Sequence, residues 1–207
     1  LITGPEPDPL FTTAHVFTAD GGNDERWRAA GVNHRWFPPA VDRYEAAEMP
    51  GRFRSELAHD VVFTGSYANY HDAYPQRIEL VDFLRDRYGS RFVHYGHGGG
   101  LPVRRMQDLN DLYVSARVIV GDSCFANSPN WQERTNRYHS DRVPETLGRG
   151  GFLLYPAGQL EEYEAGYHYL IYGPGDWESL GGAIDVWLAS PEQRVKIARG
   201  GRAHVLA

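Results

Sequence analysis

His139-Ser140-Asp141-Arg142-Val143-Pro144-Glu145-Thr146-Leu147-Gly148-Arg149-Gly150-Gly151-Phe152-Leu153-Leu154 is the stretch from which the fold can be read. It passes from a polar loop through a short helix and a glycine turn into a buried strand. Ser140 suits the N-cap, because its hydroxyl can accept from the free N–H groups of the first turn. Pro144 falls in that turn, where a missing N–H costs little. Arg142 and Glu145 are three apart and so project from one side of the helix. The free N–H groups and Arg142 suit phosphate, and Glu145 can accept from sugar hydroxyls. A helix start of this kind suits a nucleotide sugar.

Working outward, short apolar runs alternate with longer amphipathic ones. Towards the N-terminus, Val118-Ile119-Val120, Arg91 to Tyr95 and Val61-Val62-Phe63-Thr64 read as strands. A helix opened by Pro75 carries Ile78, Leu80, Val81, Phe83 and Leu84 on its apolar side and closes at Gly89. Leu109, Leu112 and Tyr113 mark another helix. Further upstream, His15 to Thr18 and His34 to Phe37 read as strands flanking a helix from Asn23 to Ala30. Residues 38–60 mix Pro, Gly and charge without periodicity and read as a linker or mobile connection. Residues 122–138 read as a long polar loop. Towards the C-terminus come a strand at Phe152 to Tyr155, a short helix at Leu160 to Glu164 and a strand at Tyr169 to Tyr172. Asp176 then caps a helix through Leu188, and Pro191 starts another. Strand and helix in alternation, with few hairpin signals, predict an α/β fold: a parallel sheet covered on both faces. Ligands of such sheets bind at the carboxyl ends of the strands. The loops at Gly65, Gly96, Asp122 and Ser140 fall at that edge, so residues distant in sequence can converge there.

With 207 residues, 42% hydrophobic and 23% charged, the chain can bury a substantial core. A net charge of −6 argues against broad nucleic-acid binding, though a specific polynucleotide acceptor stays open. Cys124 is the only cysteine, which excludes an intrachain disulfide and a cysteine-based zinc site and favours the cytoplasm. No apolar run approaches the ~20 residues of a membrane span. The start Leu1-Ile2-Thr3-Gly4-Pro5 has no signal-peptide character. Thirteen Tyr and five Trp serve either packing or stacking and hydroxyl contacts to sugars and bases.

Five segments carry a family resemblance. They are Val61 to Ser66, Leu112 to Val120, Ser140 to Gly151, Tyr172-Gly173-Pro174-Gly175-Asp176-Trp177-Glu178-Ser179-Leu180, and Pro191 to Gly201. In order and spacing, the chain from about Asp60 onward resembles the C-terminal, donor-binding domain of a GT-B glycosyltransferase. The nearest likeness is to group 1, in its spore-maturation-protein-like branch, common in bacteria and phages. The resemblance implies a Rossmann-like parallel sheet with helices on both faces, preceded by the tail of a second Rossmann-like domain. Residues 1–50 would be the remnant of an N-terminal acceptor domain plus linker, and residues 51–207 the nucleotide-sugar-binding domain. It implies a piece of a longer enzyme that moves a glycosyl group from a nucleoside diphosphate sugar, such as a UDP-sugar, to an acceptor hydroxyl. The acceptor could be a glycan, a protein, a small molecule or modified DNA. No metal and no cofactor beyond the donor would be needed, and the catalytic base would lie in the acceptor domain. This chain alone need not be active.

The resemblance assigns Glu145 to the ribose hydroxyls; a solvated helix carboxylate is the alternative. Arg142 would meet donor phosphate, or pair with Asp141 or Glu145. Ser140 would add a hydroxyl or N–H to phosphate, or only cap the helix. Gly65 and Ser66 would let backbone approach a phosphate or sugar, or form a plain turn. Asp122 would touch sugar or base, or cap a turn. His139 would lie near the phosphates, or in an exposed loop. His94 and His97 are spaced like a metal pair, but no third ligand is evident. The chain also departs from the family. Arg137 stands where many members carry a second glutamate. No Arg and Lys pair follows the first strands, and Lys196 is the only lysine. Retention or inversion at the sugar, and activity itself, therefore stay open. A non-catalytic nucleotide-sugar-binding module and a nucleotide-sugar epimerase are the alternatives. Oligomeric state is not legible.

Overall fold

The computed structural model describes residues 15–19, 24–68, 76–102, 104–123, 139–156, 160 and 162–207. The described residues begin with β1 (His15–Thr18), α1 (Asp24–Ala29) and β2 (Asn33–Trp36), and the two strands pair in parallel. Inside this unit His34 is buried, pairs with Asp24 and stacks on Trp27.

A second, five-stranded sheet follows. It comprises β3 (Val61–Thr64), β4 (Phe92–Tyr95), β5 (Val118–Val120), β6 (Leu153–Pro156) and β7 (Leu170–Tyr172). Their order is β4-β3-β5-β6-β7, and every neighbouring pair is parallel. The helices are α2 (Arg77–Tyr88), α3 (Met106–Ser115), α4 (Arg142–Gly148), α5 (Trp177–Leu188) and α6 (Pro191–Leu206). From β3 the chain winds out to β4 and then returns past β3 to β5. Right-handed crossovers in opposite directions must lie on opposite faces. Accordingly Leu80, Val81 and Leu84 of α2 pack with Val61, Phe63, Val118, Val120 and Leu154 on one face. Leu112 and Tyr113 of α3, with Val143 and Leu147 of α4, pack with Val62, Ile119, Leu153 and Tyr155 on the other. The strands read as unbroken apolar runs because alternate side chains enter two separate cores. Each fully buried aliphatic side chain contributes about 1.5–3 kcal/mol.

The strands and the long helices lie within a residue or two of the sequence expectation. Gly89 ends α2 at φ +51°, and the Asp176 carboxylate accepts from the Ser179 N–H at the start of α5. Two expectations fail. Residues 38–60 are not a mobile connection: Tyr44–Glu48 forms a π-helical turn and Ser55–Leu57 a 3-10 turn, with Ala46 and Leu57 buried. The docking is polar, so no apolar period announces it. Asp111 accepts from the Arg52 N–H, Ser115 from the Arg54 N–H, and the Asn110 amide donates to the carbonyls of Glu45 and Met49. The helix expected at Leu160 to Glu164 is also absent from its described residues. A run that short does not repay helix nucleation, and the segment leads into a bridge between Ala165 and Tyr169. Pro75 and residues 124–138 of the expected polar loop lie outside the described residues.

Candidate functional site

Winding reverses between β3 and β5, so a crevice opens outside their carboxyl ends. Gly65 follows β3 there with φ +150°, and a Cβ on it would sit 2.6 Å from the Arg142 guanidinium. Gly96, after β4, has φ +135°, and its Cβ would lie 2.0 Å from the Gly65 carbonyl oxygen. Only glycine fits either place. Three hydrogen bonds lock the two loops together. The Gly65 N–H donates to the Tyr95 carbonyl (2.9 Å), His94 Nε2 donates to the Gly65 carbonyl (2.7 Å), and the Tyr67 N–H donates to the His97 carbonyl (2.8 Å). Ser66 is half-buried beside them.

Arg142, the first residue of α4, reaches across the crevice. Its Nε donates to the Thr64 carbonyl at the tip of β3 (2.8 Å), and Nη1 donates to Ser140 Oγ (3.1 Å). The side chain remains 20% exposed. Of the expected alternatives, neither Asp141 nor Glu145 is its ionic neighbour. Among the described residues it faces Asp122, 3.7 Å away. Asp122 follows β5 and is itself buried. It accepts from Arg77 Nε (2.6 Å) and Nη2 (3.2 Å), so it is a buried ion-pair partner rather than a turn cap.

Ser140 precedes the cap position, which belongs to Asp141; the expected N-cap is off by one residue. The Ser140 hydroxyl still accepts, at 3.4 Å, from the Arg142 N–H, donates to the Asp141 carboxylate, and its own N–H donates to the Tyr155 hydroxyl. His139 is not an exposed loop histidine. It is 2% exposed, meets Tyr163 edge-on and faces Glu162 at 3.8 Å. Burial holds its pKa below the usual histidine range, against the pull of its neighbouring acceptors.

Glu145 lies one turn along α4, 28% exposed on its side chain, with Oε2 bound to Arg149. The Tyr113 hydroxyl bonds Thr64 Oγ1 at 3.1 Å and feels both the Arg142 and the Glu145 charge. Burial is the main cause of its raised pKa. Gly65, Ser66, Asp122, Ser140 and Arg142 therefore meet around the ends of β3 and β5, with Glu145 on the α3 side and His139 behind Ser140. His94 does not pair with His97 for a metal: its Nε2 is taken by the Gly65 carbonyl, while His97 is exposed. Among the described residues no group of three or more His, Cys, Asp or Glu is placed to hold a metal. Arg137 lies outside the described residues.

Sequence reading missed Arg77, Asn110, Tyr113 and Arg149. Arg77 had a signal, as a cation opening the helix after β3. Asn110 and Arg149 had none, because their partners lie on segments remote in sequence.

A model of the family described as "Glycosyl transferase-like" matches residues 76–207, and the chain belongs to that family. No curated protein is significantly similar to it in sequence. Among solved structures, HepE from Anabaena, in complex with UDP and glucose, is 14% identical with a TM-score of 0.63, covering 92% of this chain and 57% of that one. Sucrose-phosphate synthase from Thermosynechococcus elongatus is 15% identical with a TM-score of 0.59, covering 92% and 53%. The E. coli structure described as "Trehalose-6-phosphate" bound with UDP-2-fluoro glucose is 12% identical with a TM-score of 0.57, covering 98% and 61%. The chain thus spans little more than half the length of these proteins. The likeness establishes the fold: a helix-flanked parallel α/β sheet of the GT-B glycosyltransferase type.

Proposed function

We propose that this member of the glycosyl transferase-like family binds a nucleoside diphosphate sugar, with UDP-sugars the leading class, and transfers the glycosyl group to an acceptor hydroxyl. The observation that carries the reading is Arg142, tethered to the Thr64 carbonyl directly over the glycine turn at the switch point. The tether orients a guanidinium that is already in place when a diphosphate enters. Gly65 and Ser66 allow close backbone approach, and Ser140 steadies Arg142. Glu145 accepts from the ribose hydroxyls. As the bond from the sugar's anomeric carbon to the diphosphate oxygen breaks, Arg142 stabilises the charge growing on the leaving group. The acceptor oxygen bonds to that carbon, and its proton passes to a base on the acceptor side.

The β1–α1–β2 unit forms a sheet of its own. This supports assigning residues 1–50 to the acceptor-side domain and its linker, and residues 51–207 to the donor domain. The Ser140 to Gly151 segment supports a place in the spore-maturation-protein-like branch, common in bacteria and phages. Metal and cofactor are not required by this scheme. None of the described helices is long and apolar enough to cross a membrane; with one cysteine, a cytoplasmic setting fits.

A thermal-shift and calorimetric screen against UDP, GDP, ADP, dTDP and their sugars tests the reading. One nucleotide should stabilise the chain, by about 2.7 kcal/mol at a hundredfold excess over Kd, and Glu145→Ala should weaken it at least ~10-fold. Unchanged affinity in Glu145→Ala overturns the ribose assignment, and no binding by any of them overturns the donor site.

A further inference from the structure

Arg149 lies four residues beyond Glu145, at the end of α4, with its side chain 2% exposed. Its Nε and Nη2 converge on one oxygen, Glu145 Oε2, at 2.7 and 2.6 Å. Nη2 also donates to Glu45 Oε2 at 2.7 Å, and Nη1 donates to Asn110 Oδ1. The Asn110 amide in turn holds the carbonyls of Glu45 and Met49. Three segments thus meet on one guanidinium: α4, α3 and the Tyr44–Glu48 turn. Burial opposes the charge on Arg149, yet the bonds and charges of Glu45 and Glu145 outweigh it and hold its pKa above the ordinary value.

Two features go beyond a structural tie. One cation faces two carboxylates, so the cluster keeps a surplus of negative charge and of acceptor lone pairs. Both carboxylates stay partly exposed, 28% for Glu145 and 29% for Glu45. Because both Arg149 donors take Oε2, Glu145 Oε1 has no hydrogen-bond partner among the described residues. A glutamate side chain otherwise samples many rotamers, and freezing it beforehand removes that cost from binding.

We infer that Arg149 is the positioning residue for Glu145, and that Glu45 makes this positioning depend on the Tyr44–Glu48 turn. The carboxylate is set for ligand hydroxyls only while that turn is docked on α3 and α4. By linkage, a bound nucleotide holds the turn down in return. The inference rests on the donor-site reading proposed above.

The test uses the whole chain and calorimetry. The ligands are UDP, or whichever ribonucleoside diphosphate of the screen binds, and its 2′,3′-dideoxy counterpart. The wild type should prefer the ribose form at least ~10-fold, and Glu145→Ala should erase the preference. Arg149→Lys, which keeps the charge but not the fork, should lose most of it, and Glu45→Gln should lose ~3-fold. Affinity for the dideoxy form should stay unchanged in all of them, which a folding defect would not allow. If Glu145→Ala loses the preference while Arg149→Lys and Glu45→Gln keep it in full, the inference falls and the donor site stands. If the wild type shows no preference, or neither form binds, the donor-site reading falls and takes the inference with it. Should Arg149→Lys fail to fold, Glu45→Gln, on a part-exposed side chain, decides alone.

Discussion

Two buried arginines, Arg77 and Arg149, are partnered differently. Arg77 donates both Nε and Nη2 to the buried carboxylate of Asp122. Arg149 is shared between Glu45 and Glu145, both partly exposed. The first arrangement is closed: the carboxylate is buried and both its oxygens are engaged by Arg77. It makes a wall at the start of α2 and the end of β5, against which Arg142 also leans. The second is open: one cation cannot neutralise two carboxylates, and acceptor capacity is left facing outward. A buried carboxylate with both oxygens engaged builds scaffold, and spare acceptors are where ligand hydroxyls can enter.

The largest effect should come from breaking the closed pair. Asp122→Ala removes the buried carboxylate that takes two bonds from Arg77 and should destabilise the fold by about 3–5 kcal/mol, read from urea unfolding. If the loss is no larger than for Glu145→Ala, the two networks do not differ as described.

A smaller effect should appear with pH. Burial holds His94 and His139 below the usual histidine range, and His59 and His168 are lowered by the same cause. Below about pH 6.5 the unfolded chain takes up protons that these folded histidines refuse. Stability should therefore fall as pH drops from about 6.5 towards 5. That window lies above the one in which the depressed carboxylates Asp111 and Asp185 act. Unfolding curves across it check this, and His139→Gln should flatten the slope. A flat wild-type profile would mean that the histidines near the crevice take up protons without opening the fold.

The smallest effect sharpens the contrast from outside. Arg85 and Asp82 form an exposed pair on α2, 46% and 42% exposed. Arg85→Ala should change stability by no more than about 0.5–1 kcal/mol. A larger loss would show that exposure does not separate ion pairs here.

Much of this was legible in the residues. The apolar runs at Val61, Val118 and Leu153, set between longer helical periods, could only be buried parallel strands. Gly65, Gly96 and Ser140 had to fall at their carboxyl ends, and in the structure they do. The misreadings share one cause. The 38–60 segment looked like a linker or mobile connection because its contacts are hydrogen bonds with Asn110, Asp111 and Ser115, residues that a hydropathy pattern treats as solvent-facing. Asp122 looked like a turn cap because its partner Arg77 is 45 residues away in sequence. His139 looked exposed because Tyr163 and Glu162 cover it from a segment without regular structure.

The sequence by itself thus determined the architecture and the edge of the sheet that carries the site. Periodicity, glycine placement and helix ends are local properties, each decided by neighbours within a few residues. Which charged side chains are matched and which keep free acceptors was decided only in the tertiary structure. A guanidinium chooses among the carboxylates that folding brings within about 3 Å, and for Arg149 one of these, Glu45, comes from 104 residues earlier in the chain.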